Sequence, residues 1–136
     1  MRKLDETDFA RLTAHLSAAP DLVAGYCFGS QVDPGRRSPR DVDIAVLPSE
    51  TLSLRRLLEL RAIVTDTLLI DAVDLVDLHQ AGPVLKRQVI KSGRLLFARD
   101  QTLVNRFELR ALRDYQDGAY RRRVQLQYFA DGHGLS

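Results

Sequence analysis

The heptapeptide "DVDIAVL", residues 41–47, constrains this chain more than any other stretch. Val42, Ile44 and Val46 alternate with Asp41, Asp43 and Ala45, and a period of two marks a β-strand with one apolar face. Two carboxylates therefore share a strand face, with Cα atoms about 6.6 Å apart, twice the strand rise. Ionised carboxylates that close repel each other unless a cation lies between them. Mg²⁺ suits the gap. It takes oxygen ligands, often one or two carboxylates, and completes its shell with water and phosphate oxygens.

A second feature stands just upstream. "LVAGYCF", residues 22–28, reads as a buried strand despite Gly25, and it ends at the pair Gly29 and Ser30. A glycine at a strand end lets the backbone approach a ligand closely. A helical turn opening at Ser30 presents free N–H groups to a phosphate, and the serine hydroxyl adds a further donor. Residues 31–40 hold two prolines, a glycine and little apolar content, which predicts a loop. Its arginines, Arg36, Arg37 and Arg40, are candidates for neutralising phosphate charge. A phosphate cradle and a carboxylate pair on neighbouring strands make a nucleoside-triphosphate site.

The rest of the chain alternates between helical and extended patterns. Residues 4–18 read as a helix with Leu4, Phe9, Leu12 and Leu16 near one face and a cap at Thr7 or Asp8. A second helix, 52–68, carries a stripe of Leu54, Leu57, Leu58, Ile63 and Val64 behind a cap at Ser53 or Thr51. A strand follows at 69–78, then a short helix at 83–91 opened by Pro83, then a strand at 94–98. Residues 101–129 read as one long helix, with Val104, Phe107, Ala111, Leu112, Tyr115 and Ala119 at helical spacing. One domain over 1–130 and a disordered tail over 131–136 are expected. The element order predicts an α/β (α+β) fold, a mixed β-sheet with helices packed mainly on one face.

Composition narrows the function. A net charge of +2 is too small to imply nonspecific nucleic-acid binding. No segment approaches the ~20 apolar residues of a membrane span. The lone Cys27 sits in an apolar run, excludes an intramolecular disulfide and fits a reducing compartment, so a cytoplasmic protein is expected. His15, His79 and His133 show no ligand spacing, which argues against zinc.

"GSQVDPGRRSPRDVD" is G-S, ten residues, then D-x-D. It resembles the signature of the minimal nucleotidyltransferases, a branch of the DNA polymerase β-like superfamily. "VDLVDL", "GPVLKRQVIKSGRLLFARD" and "RDYQDGAYRRRVQLQYF" are similar to further family segments. The last resembles the C-terminal helix of antitoxins paired with HEPN-domain toxins. The resemblance implies a nucleotidyltransferase fold with a long C-terminal helix, ATP as substrate and two Mg²⁺ ions. Asp41 and Asp43 would be metal ligands and catalytic residues, with a third carboxylate on the adjacent strand. Asp71, Asp74 and Asp77 are the candidates, and alternation separates Asp74 from the other two without choosing between the faces. The family match falls on Asp74. Gly29, Ser30 and Arg40 are the implied nucleotide-binding residues. Two positions depart from the family's habit: Arg40 where a small polar residue is common, and Pro34 where glycine is common.

The implied activity is transfer of AMP to a tyrosine of a HEPN ribonuclease toxin, which the chain would also bind as a partner. A purely steric antitoxin is the alternative from another class. A small-molecule nucleotidyltransferase of the aminoglycoside-modifying type is a third, less favoured because such enzymes usually carry an additional substrate domain. The arginines within residues 120–129 are expected to dock on a partner protein rather than on nucleic acid.

Overall fold

The computed structural model describes residues 1–36 and 38–130, so Arg37 and the expected disordered tail lie outside the described residues. The elements are α1 (Glu6–Ser17), β1 (Leu22–Phe28), a single 3-10 turn (Gly29–Gln31), β2 (Val42–Pro48), α2 (Leu54–Leu68), β3 (Val73–Asp77), α3 (Pro83–Ser92), β4 (Arg94–Ala98) and α4 (Gln101–Ala130). No helix among the described residues is long and apolar enough to cross a membrane.

The four strands form one mixed sheet in the order β3-β2-β1-β4. β1 runs antiparallel to both β2 and β4, while β2 and β3 are parallel. β4 therefore points the same way as β2 and β3. Both β2–α2–β3 and β3–α3–β4 are then crossovers between parallel strands, which are nearly always right-handed. The first steps outward to one edge of the sheet. The second returns across the whole sheet to the other edge. The same handedness in opposite lateral directions puts α2 and α3 on opposite faces.

The core divides accordingly. One layer packs Leu12 and Leu16 of α1 and Leu60 and Val64 of α2 on Ile44 and Val46. The other packs Val89 of α3 and Val104 of α4 on Tyr26, Phe28, Ala45 and Leu47. The mixed sheet and the long last helix are as expected, but helices cover both faces rather than mainly one. The edge that β4 joins decides this, and no local pattern specifies it.

Three local boundaries also differ from expectation. Helix α1 is capped by Asp5, whose carboxylate accepts the Asp8 N–H at 2.9 Å, while Asp8 accepts the Asp5 N–H at 2.9 Å. This reciprocal box satisfies two donors at once and outcompetes a cap at Thr7 or Asp8. Strand β3 begins at Val73 rather than Leu69, because Leu69 ends α2 in the left-handed region (φ 56°) and turns the chain. On α2 the buried face runs through Leu60, Val64, Thr67 and Leu68, leaving Leu54 (72% exposed) and Leu58 (57%) on the solvent side. Ser53 is the α2 cap and accepts the Arg56 N–H at 3.1 Å.

Asp77, at the end of β3, is a buried carboxyl side chain. Its Oδ2 accepts the Leu52 N–H and its Oδ1 the His79 N–H, each at 2.9 Å. It is a strand-end acid that fastens the loop before α2. Asp77→Ala strands a buried N–H and should cost about 2–4 kcal/mol of stability by urea denaturation. Asp74→Ala on the same strand, where the side chain is exposed, should cost nothing measurable. Equal losses for the two would refute this division of labour.

Candidate active site

The strand register settles what alternation left open. Asp43 lies directly beside Asp74 in the parallel β2–β3 pair. Laterally aligned residues on neighbouring strands project from the same face. Asp41, two residues before Asp43, shares that face. One carboxylate oxygen from each of Asp41, Asp43 and Asp74 lies within 4.8 Å of the others. Asp71 precedes β3 and is exposed, and Asp77 points into the opposite layer.

The turn after β1 closes over this cluster. Phe28 is the register partner of Asp43, so Gly29 follows directly beside the carboxylate. Gly29 has φ 75°, which favours glycine. A Cβ there would also collide with Asp43 Oδ2, so no other residue fits without moving the carboxylate. The Val32 N–H donates to the Gly29 carbonyl at 3.2 Å and closes the turn. Ser30 Oγ accepts the Arg40 N–H at 3.3 Å and donates to the Asp41 carbonyl at 3.4 Å, joining the two ends of the loop. A cleft of about 550 Å³ opens beside Gly29 and Ser30, bounded by Arg36 from the loop and by Gln88 and Ser92 from α3. Arg40 is exposed at the end of the loop.

Sequence reasoning missed three residues here. Gln31 is fully buried; its side-chain carbonyl accepts the Leu4 N–H at 2.8 Å and its amide donates to the Arg2 carbonyl at 3.1 Å. It straps the N-terminal segment onto the turn, and nothing in its spacing announces that. Gln88 and Ser92 belong to the polar side of α3, a signal that was present but pointed to no ligand.

The family model for polymerase beta nucleotidyltransferases matches residues 11–102. The chain belongs to that family. This nucleotidyltransferase is 36% identical over 101 residues to the protein adenylyltransferase MntA of Shewanella oneidensis, covering 74% of this chain and 70% of that one. It also resembles the antitoxin fold solved in two complexes. One is a tri-AMPylated Shewanella oneidensis HEPN toxin with its MNT antitoxin, at a TM-score of 0.72 and 28% identity. The other is a toxin–antitoxin structure with AMP-PNP, at 0.71 and 30% identity. Each likeness covers 93% of this chain and 99% of the solved one.

Electrostatics in this nucleotidyltransferase fit a divalent cation. No Lys or Arg forms an ion pair with any of the three aspartates among the described residues. Three oxygen-donor groups without a counter-charge are the donor set a hard cation takes. Burial pushes the Asp43 carboxyl up to about 6, helped by the charges of Asp41 and Asp74 and a hydrogen bond with Asp41. A carboxyl raised in the fold stabilises it below the unfolded pKa, here near 3.8, and that contribution is lost as pH climbs through about 6. Asp8 and Asp21, held low by hydrogen bonds from Arg2 and Arg56, act in the opposite sense at more acid pH. In EDTA, the melting temperature should therefore fall by a few degrees between pH 5 and pH 7.5. Asp43→Asn should flatten that fall, and millimolar Mg²⁺ should reverse it in the natural sequence alone. A melting temperature indifferent to Mg²⁺ at pH 7.5 would count against a cation site.

Proposed function

We propose that this protein transfers AMP from ATP to a tyrosine of a cognate HEPN ribonuclease toxin and thereby silences it. One observation carries the reading: Asp41, Asp43 and Asp74 converge beside the Gly29–Ser30 turn. The likeness to a protein adenylyltransferase and to antitoxins solved with HEPN toxins supports the choice of acceptor.

The roles follow from position. Asp41 and Asp43 are the residues to hold a cation against the triphosphate, with Asp74 completing a second site. Bound Mg²⁺ would neutralise phosphate charge and lower the pKa of the acceptor hydroxyl. The Gly29–Ser30 turn faces the β- and γ-phosphates, and the long Ser30 bond to Asp41 is readily exchanged for a phosphate oxygen. Arg36 and Arg40 supply positive charge from the loop. The tyrosine oxygen attacks the α-phosphorus in line, the bond from that phosphorus to the bridging oxygen breaks, and pyrophosphate leaves. Asp74 is the exposed member of the triad, accessible to an acceptor carried on another protein, and takes the phenolic proton.

The purified toxin, labelled ATP and Mg²⁺ test this directly. Label should reach the toxin, its intact mass should rise by whole AMP units, and its ribonuclease activity should fall. Asp41→Asn/Asp43→Asn and Asp74→Asn should each slow labelling by about 10²-fold or more. Neutralisation by the double variant without any labelling would leave the steric reading standing instead.

A further inference from the structure

Gln88 and Ser92 stand across the cleft from the Gly29–Ser30 turn with nothing to bond. They lie four residues apart on α3, about one helical turn, and both line the same opening. Neither side chain has a hydrogen bond or ion pair among the described residues, and the guanidinium of Arg36, on the same cleft, has none either. Unbonded polar groups are ordinary on a helix surface. What distinguishes these is their company: the Gly29–Ser30 turn, the apolar surfaces of Val32 and Pro34, the Arg36 guanidinium, and the Asp33 carboxylate that is already engaged by the Gly35 N–H, all lining one cleft of about 550 Å³.

The chemistry of each group assigns its partner. Arg36 offers only donors and suits the acceptor-only oxygens of a phosphate. The Gln88 amide presents one donor and one acceptor side by side. On a phosphate its carbonyl would be wasted. On a nucleobase edge both halves are used, with the ring laid on Val32 and Pro34. Adenine shows an acceptor, N7, beside a donor, the N6 amino group, and a glutamine amide pairs with both at once. The same edge of guanine shows two acceptors, N7 and O6, and leaves the amide carbonyl facing an oxygen. Ser92, with a hydroxyl that both donates and accepts, fits the ribose between base and phosphates.

We propose that Gln88 is a specificity residue of this nucleotidyltransferase, reading the base of the bound triphosphate and selecting adenine over guanine. This rests on the nucleotidyl-transfer reading and extends it to the choice of nucleotide. Calorimetric titration with non-hydrolysable ATP and GTP analogues in Mg²⁺ tests it, alongside KM and kcat for labelling of the toxin. The natural sequence should prefer the ATP analogue by about tenfold or more. Gln88→Leu keeps a good helix former at an exposed position. It should weaken the ATP analogue by about tenfold, leave the GTP analogue nearly unchanged and raise KM for ATP while kcat stays within about twofold. Arg36→Ala should weaken both analogues alike. If the natural sequence binds ATP and Gln88→Leu binds both analogues as before, the base-reading role is wrong while nucleotidyl transfer stands. If the natural sequence binds neither analogue, the transfer reading falls, and this inference with it.

Discussion

The site depends on three like charges being held together against their own repulsion. The charges of Asp41 and Asp74 add to burial in raising the Asp43 carboxyl, which is the mark of that repulsion. Only a rigid scaffold keeps such a group assembled before a cation arrives. Here the scaffold is the pairing of β2 with β3 on one side and β1 on the other, which fixes Asp43 from both flanks. The apolar layers on the two faces hold those strands in register, because a slip of one residue would exchange the layers that Ile44, Val46, Ala45 and Leu47 fill and turn Asp43 away from Asp74. Core packing and the convergence of the three carboxylates are thus one constraint viewed from two ends of the same strand.

The central strand β1 has several duties. It leads into the Gly29 turn, pairs with β2, and anchors the last helix. The Tyr26 hydroxyl donates to Glu108 of α4 at 2.9 Å. α4 in turn clasps α3, with Lys86 over the Phe107 ring and Arg87 over Tyr115. α3 is the helix that bounds the cleft beside the Gly29–Ser30 turn. The second helical layer, whose position follows from the handedness of the β3–α3–β4 crossover, therefore supplies a wall of the site as well as a cover for the sheet.

Much of this was legible in the sequence, and the limits have physical causes. The alternation of residues 41–47, the glycine–serine strand end and the proline-marked loop are local patterns, and each appears where it was expected. Asp74 could not be separated from Asp71 and Asp77 by alternation, because a strand's own pattern does not say which neighbour lies beside which residue. The register does. Gln31 was invisible because its bonds reach back to residues 2 and 4. The outward turn of Leu54 and Leu58 reflects where α2 meets the sheet. Apolar content alone cannot set that rotation.

The loop between Gln31 and Asp41 hangs from two posts. One is the turn strapped by Gln31, the other the start of a strand clamped on both sides. Among the described residues, 32–36 and 38–40 make no strand pairing with the sheet. Insertions, deletions or new side chains in this span can reshape the mouth of the cleft while Asp41, Asp43 and Asp74 stay where they are. The architecture thereby separates the shape of the cleft mouth, set by the loop, from the placement of the three carboxylates, set by strand pairing.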